Sequence, residues 1–325
     1  MIEEIASNLY KIEIPLPNNP LKSLNSYVIN GLDRNLIIDT GLGREECLSA
    51  MQAGLKKLGV DLGKTDFFIT HFHMDHIGLL SNLKTNTSKI FFNQLDADIL
   101  ERVRLDTLWA DMIRFTRMSG FPENELQEIE LNHPSRRYGL KERIPFEILK
   151  DGDTITVGGY LFRCVKTPGH SEGHMCLYEP NKKIFVAGDH ILSDITPTIQ
   201  LRSDEGNPLK EYLESLEKVH QLDIELVLPG HRRVFRNCRE RIKELKDHHQ
   251  KRMDEIICIL AKGSRHAYQV ASLMSWDIAY DSWDLFPVLQ KWFATGEAIA
   301  HLKYLEEKGV IHRQIMKEKA VYSLN

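Results

Sequence analysis

His71, His73, Asp75 and His76 fall together in the run THFHMDHIG at residues 70–78. Three imidazoles and a carboxylate are the ligands that borderline divalent ions such as zinc prefer. Desolvating all four together without a metal would be costly. The apolar run DFFIT (66–70) reads as a buried strand leading into them, and strand alternation puts His71 and His73 on one face. Asp75 and His76 then open the next helix. The same local grammar recurs downstream. TPGHSEGH (167–174) offers His170 and His174, AGDH (187–190) offers Asp189 and His190, and LPGH (228–231) offers His231. Each motif follows a short apolar strand and contains a glycine turn, an arrangement that delivers side chains from several strands to one sheet edge.

The elements that position these residues are legible as alternating strand and helix patterns. Short apolar runs at 8–16 and 25–39, bounded by Pro, Asn, Asp and Gly, suit strands. Residues 44–58 have helical spacing and stop before Gly59. KIFFN (89–93) reads as a strand. Segment 95–148 begins with an aromatic-rich helical pattern containing Trp109, Phe115 and Phe121, and reads as an insertion covering something. Strand patterns return at 153–170, 175–180, 183–189 and 225–231, with a helix at 208–222. This order implies an α/β sandwich built on sheets. From about residue 240 the pattern changes to three helices and a C-terminal hairpin, which is the winged-helix order. Two units follow: 1–240, with its helical insertion at about 95–148, and 241–325.

The 325 residues suit one large domain plus a small one. A composition of 42% hydrophobic and 27% charged residues is that of an ordinary globular protein, and the net charge of −4 gives no global signal for nucleic acid or a membrane surface. No apolar stretch is long enough to cross a bilayer, and the acidic N-terminus lacks a secretory pattern, so a cytoplasmic location is expected. Cys47, Cys164, Cys176, Cys238 and Cys258 are dispersed, which reads as reduced core thiols rather than disulfides or a thiolate zinc site. His190 reads as structural or pocket-lining, and the adjacent His248 and His249 as solvated or capping.

HFHMDH, the later GH, GD and PGH elements, and Asp39 in LIIDTG together resemble the metallo-β-lactamase superfamily over roughly residues 1–240. With the tail, the chain resembles superfamily hydrolases carrying a winged helix, a group that includes LACTB2-like proteins. The resemblance implies a four-layer αββα sandwich with two metals at one edge. His71, His73 and His170 would hold the first ion, and Asp75, His76 and His231 the second. Asp189 would bridge them. Asp39 would support the metal loop, and His174 would act behind the ligands or on substrate. Two Zn²⁺ ions are expected, with iron or manganese as alternatives; the flavodiiron branch has Glu where this chain has His73.

The implied mechanism is attack by a bridging hydroxide on a carbonyl or phosphoryl centre, with Asp75 both holding a metal and orienting the nucleophile. The expected substrate is a small-molecule thioester, as in glyoxalase II-like enzymes, or a lactone. A single-strand-specific endoribonuclease is the alternative. Against it, the 189–231 span is too short for a β-CASP domain, and the tail is near neutral, with 13 Lys or Arg and 11 Asp or Glu. A metal-dependent DNA-binding regulator is the weakest reading. The mostly apolar third tail helix is expected to pack on the first domain or in a homodimer. Arg136, Arg137 and Tyr138 form a cluster that could grip a substrate carboxylate or phosphate.

Overall fold

The computed structural model describes residues 1–277 and 280–325. Seven strands form the first sheet, in sequence order: β1 (Ile2–Ala6), β2 (Leu9–Pro15), β3 (Ser23–Ile29), β4 (Asn35–Ile38), β5 (Thr65–Phe68), β6 (Ile90–Phe92) and β7 (Glu147–Ile148). Its first four strands pair antiparallel and its last four parallel. The second sheet runs β12-β11-β10-β9-β8, from β8 (Thr154–Val157), β9 (Tyr160–Lys166), β10 (Met175–Glu179), β11 (Ile184–Gly188) and β12 (Leu226–Pro229).

The two sheets face each other across a core that includes Tyr27, Ile38 and Phe68 from the first and Phe162, Leu177 and Val186 from the second. Opposite faces carry the helices, because strands buried on both sides must be covered twice. Helix α1 (Glu45–Leu58) lies against β2, with Cys47, Met51 and Leu55 in the core. It starts on two glutamates, ends on two lysines and stops at Gly59 with φ +67°. The short helices α2 (Met74–Ile77) and α3 (Leu80–Leu83) follow β5. On the far side, α8 (Pro208–His220) and α9 (Cys238–Leu260) cover the second sheet. This is the four-layer αββα sandwich.

The helical insertion spans α4 (Gln94–Arg104), α5 (Leu108–Met118), α6 (Glu123–Asn132) and α7 (Pro134–Tyr138). It is shorter than the expected 95–148, because β7 returns to the first sheet at Glu147. The single helical pattern over 95–120 is divided at Leu105–Thr107, where Asp106 takes a positive φ of +58°. Sequence patterning also passed over β1, an edge strand with little buried surface, and β13 (Arg265–His266), which has only two residues.

At the C-terminus, α10 (Ala267–Leu273) and α11 (Val288–Glu307) precede the hairpin β14 (Ile311–Met316) and β15 (Lys319–Leu324); β13 pairs with β15. Among the described residues, these elements share their core with the sandwich. Ile256, Val270, Ala298, Leu302 and Ile311 belong to the same apolar cluster as Phe185, Tyr212 and Leu216 of the sandwich. Trp292 of α11 joins Trp109, Met112, Phe121 and Leu126 of the insertion in a second cluster. Lys291 reaches Glu125 at 2.8 Å, with both side chains largely buried. Four cysteines are buried as expected, but Cys258 is exposed on the outer side of α9. His249 is not solvated: it is buried, with Nδ1 at 3.0 Å from His301 Nε2.

Truncating Trp292 would empty a site shared by the insertion and α11. Trp292→Ala should lower unfolding free energy by about 3 kcal/mol. Denaturant unfolding checks this; an unchanged midpoint would show that the two parts do not depend on each other.

Candidate metal centre

The site lies where both sheets present their strand ends. β5 ends at Phe68, so His71 and His73 stand in the loop beyond it rather than on the strand. Strand alternation therefore does not align them; the loop does. His73 caps α2, which carries Asp75 and His76 in its first turn. His170 follows β9, Asp189 follows β11 and His231 follows β12.

Their ligand atoms converge. His71 Nε2 and His170 Nε2 each lie 3.0 Å from His73 Nδ1. His71, His73 and His170 form one potential metal-holding group, and Asp75, His76 and His231 another; a third joins His71, His76 and Asp189 between them. Asp189 Oδ2 is 3.7 Å from His170 Nε2, 3.6 Å from His76 Nε2 and 3.5 Å from His231 Nε2, so it faces both sets. Asp75 Oδ2 lies 3.5 Å from His231 Nε2. Its side chain is 20% exposed, against 0% for His231, which puts Asp75 at the mouth.

Four of the five rings are aimed by acceptors behind them. His76 Nδ1 meets Asp39 Oδ2 at 2.8 Å, His170 Nδ1 meets Thr198 O at 2.8 Å and His231 Nδ1 meets Ser23 O at 2.7 Å. The Thr70 hydroxyl donates to Asp39 Oδ2 and is left to accept from His71 Nδ1 at 3.0 Å. A proton on each outer nitrogen leaves the inner lone pair free for a metal. Asp39 does this from a left-handed turn, φ +58°, and also takes the Thr70 amide at 2.8 Å. His174 is fully buried behind the ligands. Its Nε2 accepts the Asp189 amide at 3.2 Å while Nδ1 lies 2.9 Å from Thr167 Oγ1, so it positions Asp189 and is out of reach of substrate. Gly230 is required by space, since a Cβ there would stand 2.5 Å from Asp189 Oδ1.

Burial, then the neighbouring rings, holds His71 and His73 well below the usual imidazole range, so both are neutral. Burial also opposes charge on His231, but Asp189 and Asp75 outweigh it and push it to about 10. Asp39 and Asp189 likewise raise His76 against its burial. His76 Nε2, His231 Nε2 and Asp189 Oδ1 are buried without a hydrogen-bond partner. Converging lone pairs, orphaned ligand atoms and a shared carboxylate fit divalent cations better than they fit protons.

Two neighbours carried no motif. Asp96, fully buried on α4, accepts from Phe72 N at 3.0 Å, Ser171 Oγ at 2.8 Å and Gly173 N at 2.7 Å. It thereby ties the insertion to both ligand loops. Burial raises it to about 6 against those three hydrogen bonds. Arg202 lies with its guanidinium 3.2 Å from His73 Nε2 and 5.5 Å from the Phe72 ring centre. The expected anion grip at 136–138 looks different. Arg136 pairs with Asp106 at 3.0 Å and Glu130 at 3.4 Å and lies over Trp109, which engages it structurally. Arg137 is exposed over Tyr138, whose ring packs against the core beneath α1. His190 is buried beside Tyr212.

The profile described as the metallo-beta-lactamase superfamily matches residues 20–231. An atrochrysone carboxyl ACP thioesterase of Aspergillus fumigatus is 25% identical over 242 residues, which cover 74% of this chain and 60% of that protein's length. A beta-lactamase-like protein 2 homolog of Caenorhabditis elegans is 24% identical over 264 residues, 80% of this chain and 73% of that one. Among solved structures, a metallo-beta-lactamase family protein from Thermus thermophilus superposes with a TM-score of 0.84 at 27% identity, over 99% of this chain and 100% of its own. A beta-lactamase domain protein from Burkholderia ambifaria has the same fold, with a TM-score of 0.87 at 23% identity over 100% of this chain and 94% of its own.

Two outcomes are expected. At pH 7 the metal-free protein carries protons on His76 and His231, because their acidic neighbours raise both above the ordinary value. Metal loading should release those protons, and calorimetry in buffers of different ionisation enthalpy should register it; buffer-independent heat would contradict the charge assignment. Asp96→Asn puts an amide donor among three donors, so metal retention should fall about tenfold or more. Competition with a chelator measures this, and unchanged retention would remove Asp96 from the support of the site.

Proposed function

The chain belongs to the metallo-β-lactamase superfamily and is a hydrolase, and from that premise we propose that it cleaves a small-molecule thioester at a pair of divalent ions. The single observation that carries the two-ion reading is Asp189 Oδ2, which lies within 3.7 Å of ring nitrogens from both histidine sets. His71, His73 and His170 would hold one ion, and Asp75, His76 and His231 the other. Zinc suits these nitrogen and carboxylate donors best. The thioesterase relative from Aspergillus fumigatus favours the thioester over the lactone.

The bound pair supplies Lewis acidity, polarising a carbonyl and lowering the pKa of water toward about 7. The protein does the rest. Asp75, at the mouth, offers a carboxylate oxygen that orients the attacking water and takes its proton. Asp39 and His174 hold His76 and Asp189 against movement. Phe72, largely buried beside the ligands, keeps bulk water off one side.

The tail enters this proposal as a winged-helix unit that supports the site rather than reading DNA. Its third helix, α11, uses Trp292 and Lys291 against the insertion, leaving that surface unavailable to a groove.

A zinc-loaded preparation should hydrolyse acyl thioesters in a panel that also contains lactones, phosphodiesters and single-stranded RNA. Cleavage of RNA or phosphodiesters with thioesters untouched would replace this reading with the nuclease one. Asp75→Ala should lower kcat by about a thousandfold; a variant with full activity would take Asp75 out of the reaction.

A further inference from the structure

His73 breaks the pattern of its neighbours. The other four rings turn their outer nitrogen to an oxygen acceptor. His73 turns Nε2 to the Arg202 guanidinium, 3.2 Å away. With Nδ1 aimed at His71 and His170 as a ligand atom, the ring proton belongs on Nε2. Two donors then face each other, and neither satisfies the other. An acceptor with negative charge, seated against both, would resolve the conflict.

None of the described residues offers Arg202 that acceptor. Among the described residues, no carboxylate lies within 4.0 Å of it; its named partner besides His73 is the Gln200 side chain, at a long 3.4 Å. Asp96 and Glu172 share its surroundings. The Asp96 carboxylate, however, is spent on Phe72, Ser171 and Gly173. Arg202 is half-buried, stacked toward Phe72, and lines a small cavity with Thr116 of the insertion and Trp292 and Thr295 of α11. A half-buried guanidinium beside a reaction centre, with Asp96 and Glu172 nearby but no carboxylate in direct contact, is placed to take one from the ligand.

We propose that Arg202, with His73 Nε2–H, is the anchor for an anionic group on the substrate, so that the enzyme selects acyl thioesters whose acyl chain ends in a carboxylate. This rests on the thioester reading above for the identity of the scissile bond, but the anchor itself is testable by binding alone.

Succinate and butyrate serve as the probes. Each offers one carboxylate to the metal centre, and succinate has a second for Arg202. Calorimetry on zinc-loaded protein should give tighter binding of succinate than of butyrate. In Arg202→Gln that preference should fall by about tenfold or more, with Arg202→Lys intermediate. Zinc content and circular dichroism verify that each variant is folded and loaded. In turnover, Arg202→Gln should lower kcat/KM more for the S-succinyl thioester of N-acetylcysteamine than for the S-butyryl thioester, with the difference between the two carried by KM. Equal succinate preference in wild type and Arg202→Gln, or none in either, overturns the anchor. A succinate preference that Arg202→Gln abolishes, with neither thioester cleaved, supports the anchor and overturns the thioester reading instead.

Discussion

Removing five imidazoles and two carboxylates from water at one point is the constraint on which the rest of this structure depends. The groups become compatible only if the rings are neutral, their lone pairs converge and an ion takes the place of the missing protons. Each supporting contact serves one of those conditions. Asp39, Thr198 O and Ser23 O hold protons on the outer nitrogens. Tyr27 OH and the Asn25 amide, both from β3, bind Pro229 O at 2.8 and 3.0 Å and so fasten the turn that carries His231. The sheets are thus joined at the metal edge by these polar contacts in addition to the apolar side chains packed between them.

The outer parts are organised around the same edge. The insertion and α11 share an apolar cluster, and Leu201 N meets Gly296 O at 3.2 Å, so the segment carrying Arg202 is held between them. Arg313 of β14 pairs with Asp204 at 2.7 Å, fixing the same segment from its other end. The C-terminal elements therefore shape the approach to the site, although they supply none of the grouped metal-type ligands.

How much of this was legible in the sequence follows from the range of each interaction. His71 to His76 announce themselves because their chemistry is compressed into one loop. His170, Asp189 and His231 are legible because each ends a strand with a glycine turn, and Gly230 shows why: no larger residue fits beside Asp189. The sandwich follows from strand spacing. Asp96 and Arg202 were not legible. Asp96 sits inside an ordinary amphipathic helix and acts on Ser171, 75 positions away; Arg202 reaches His73 across 129. Neither has a local pattern to distinguish it from a solvated charge. Arg136 and Arg137 are the converse: a visible cluster whose first member is occupied by Asp106 and Glu130.

The three hydrogen bonds to the Asp96 carboxylate have a kinetic meaning. A cover that swings open must break its ties to what lies below, and here those ties run to the loops bearing His73 and His170. Opening at α4 would disturb the very residues that need to stay aligned. The insertion is therefore fastened as a wall beside the loops that carry His73 and His170. A molecule approaching the grouped side chains past α4 then meets a boundary set by the same bonds that set the ligand loops, so its shape is tested against a surface that does not yield.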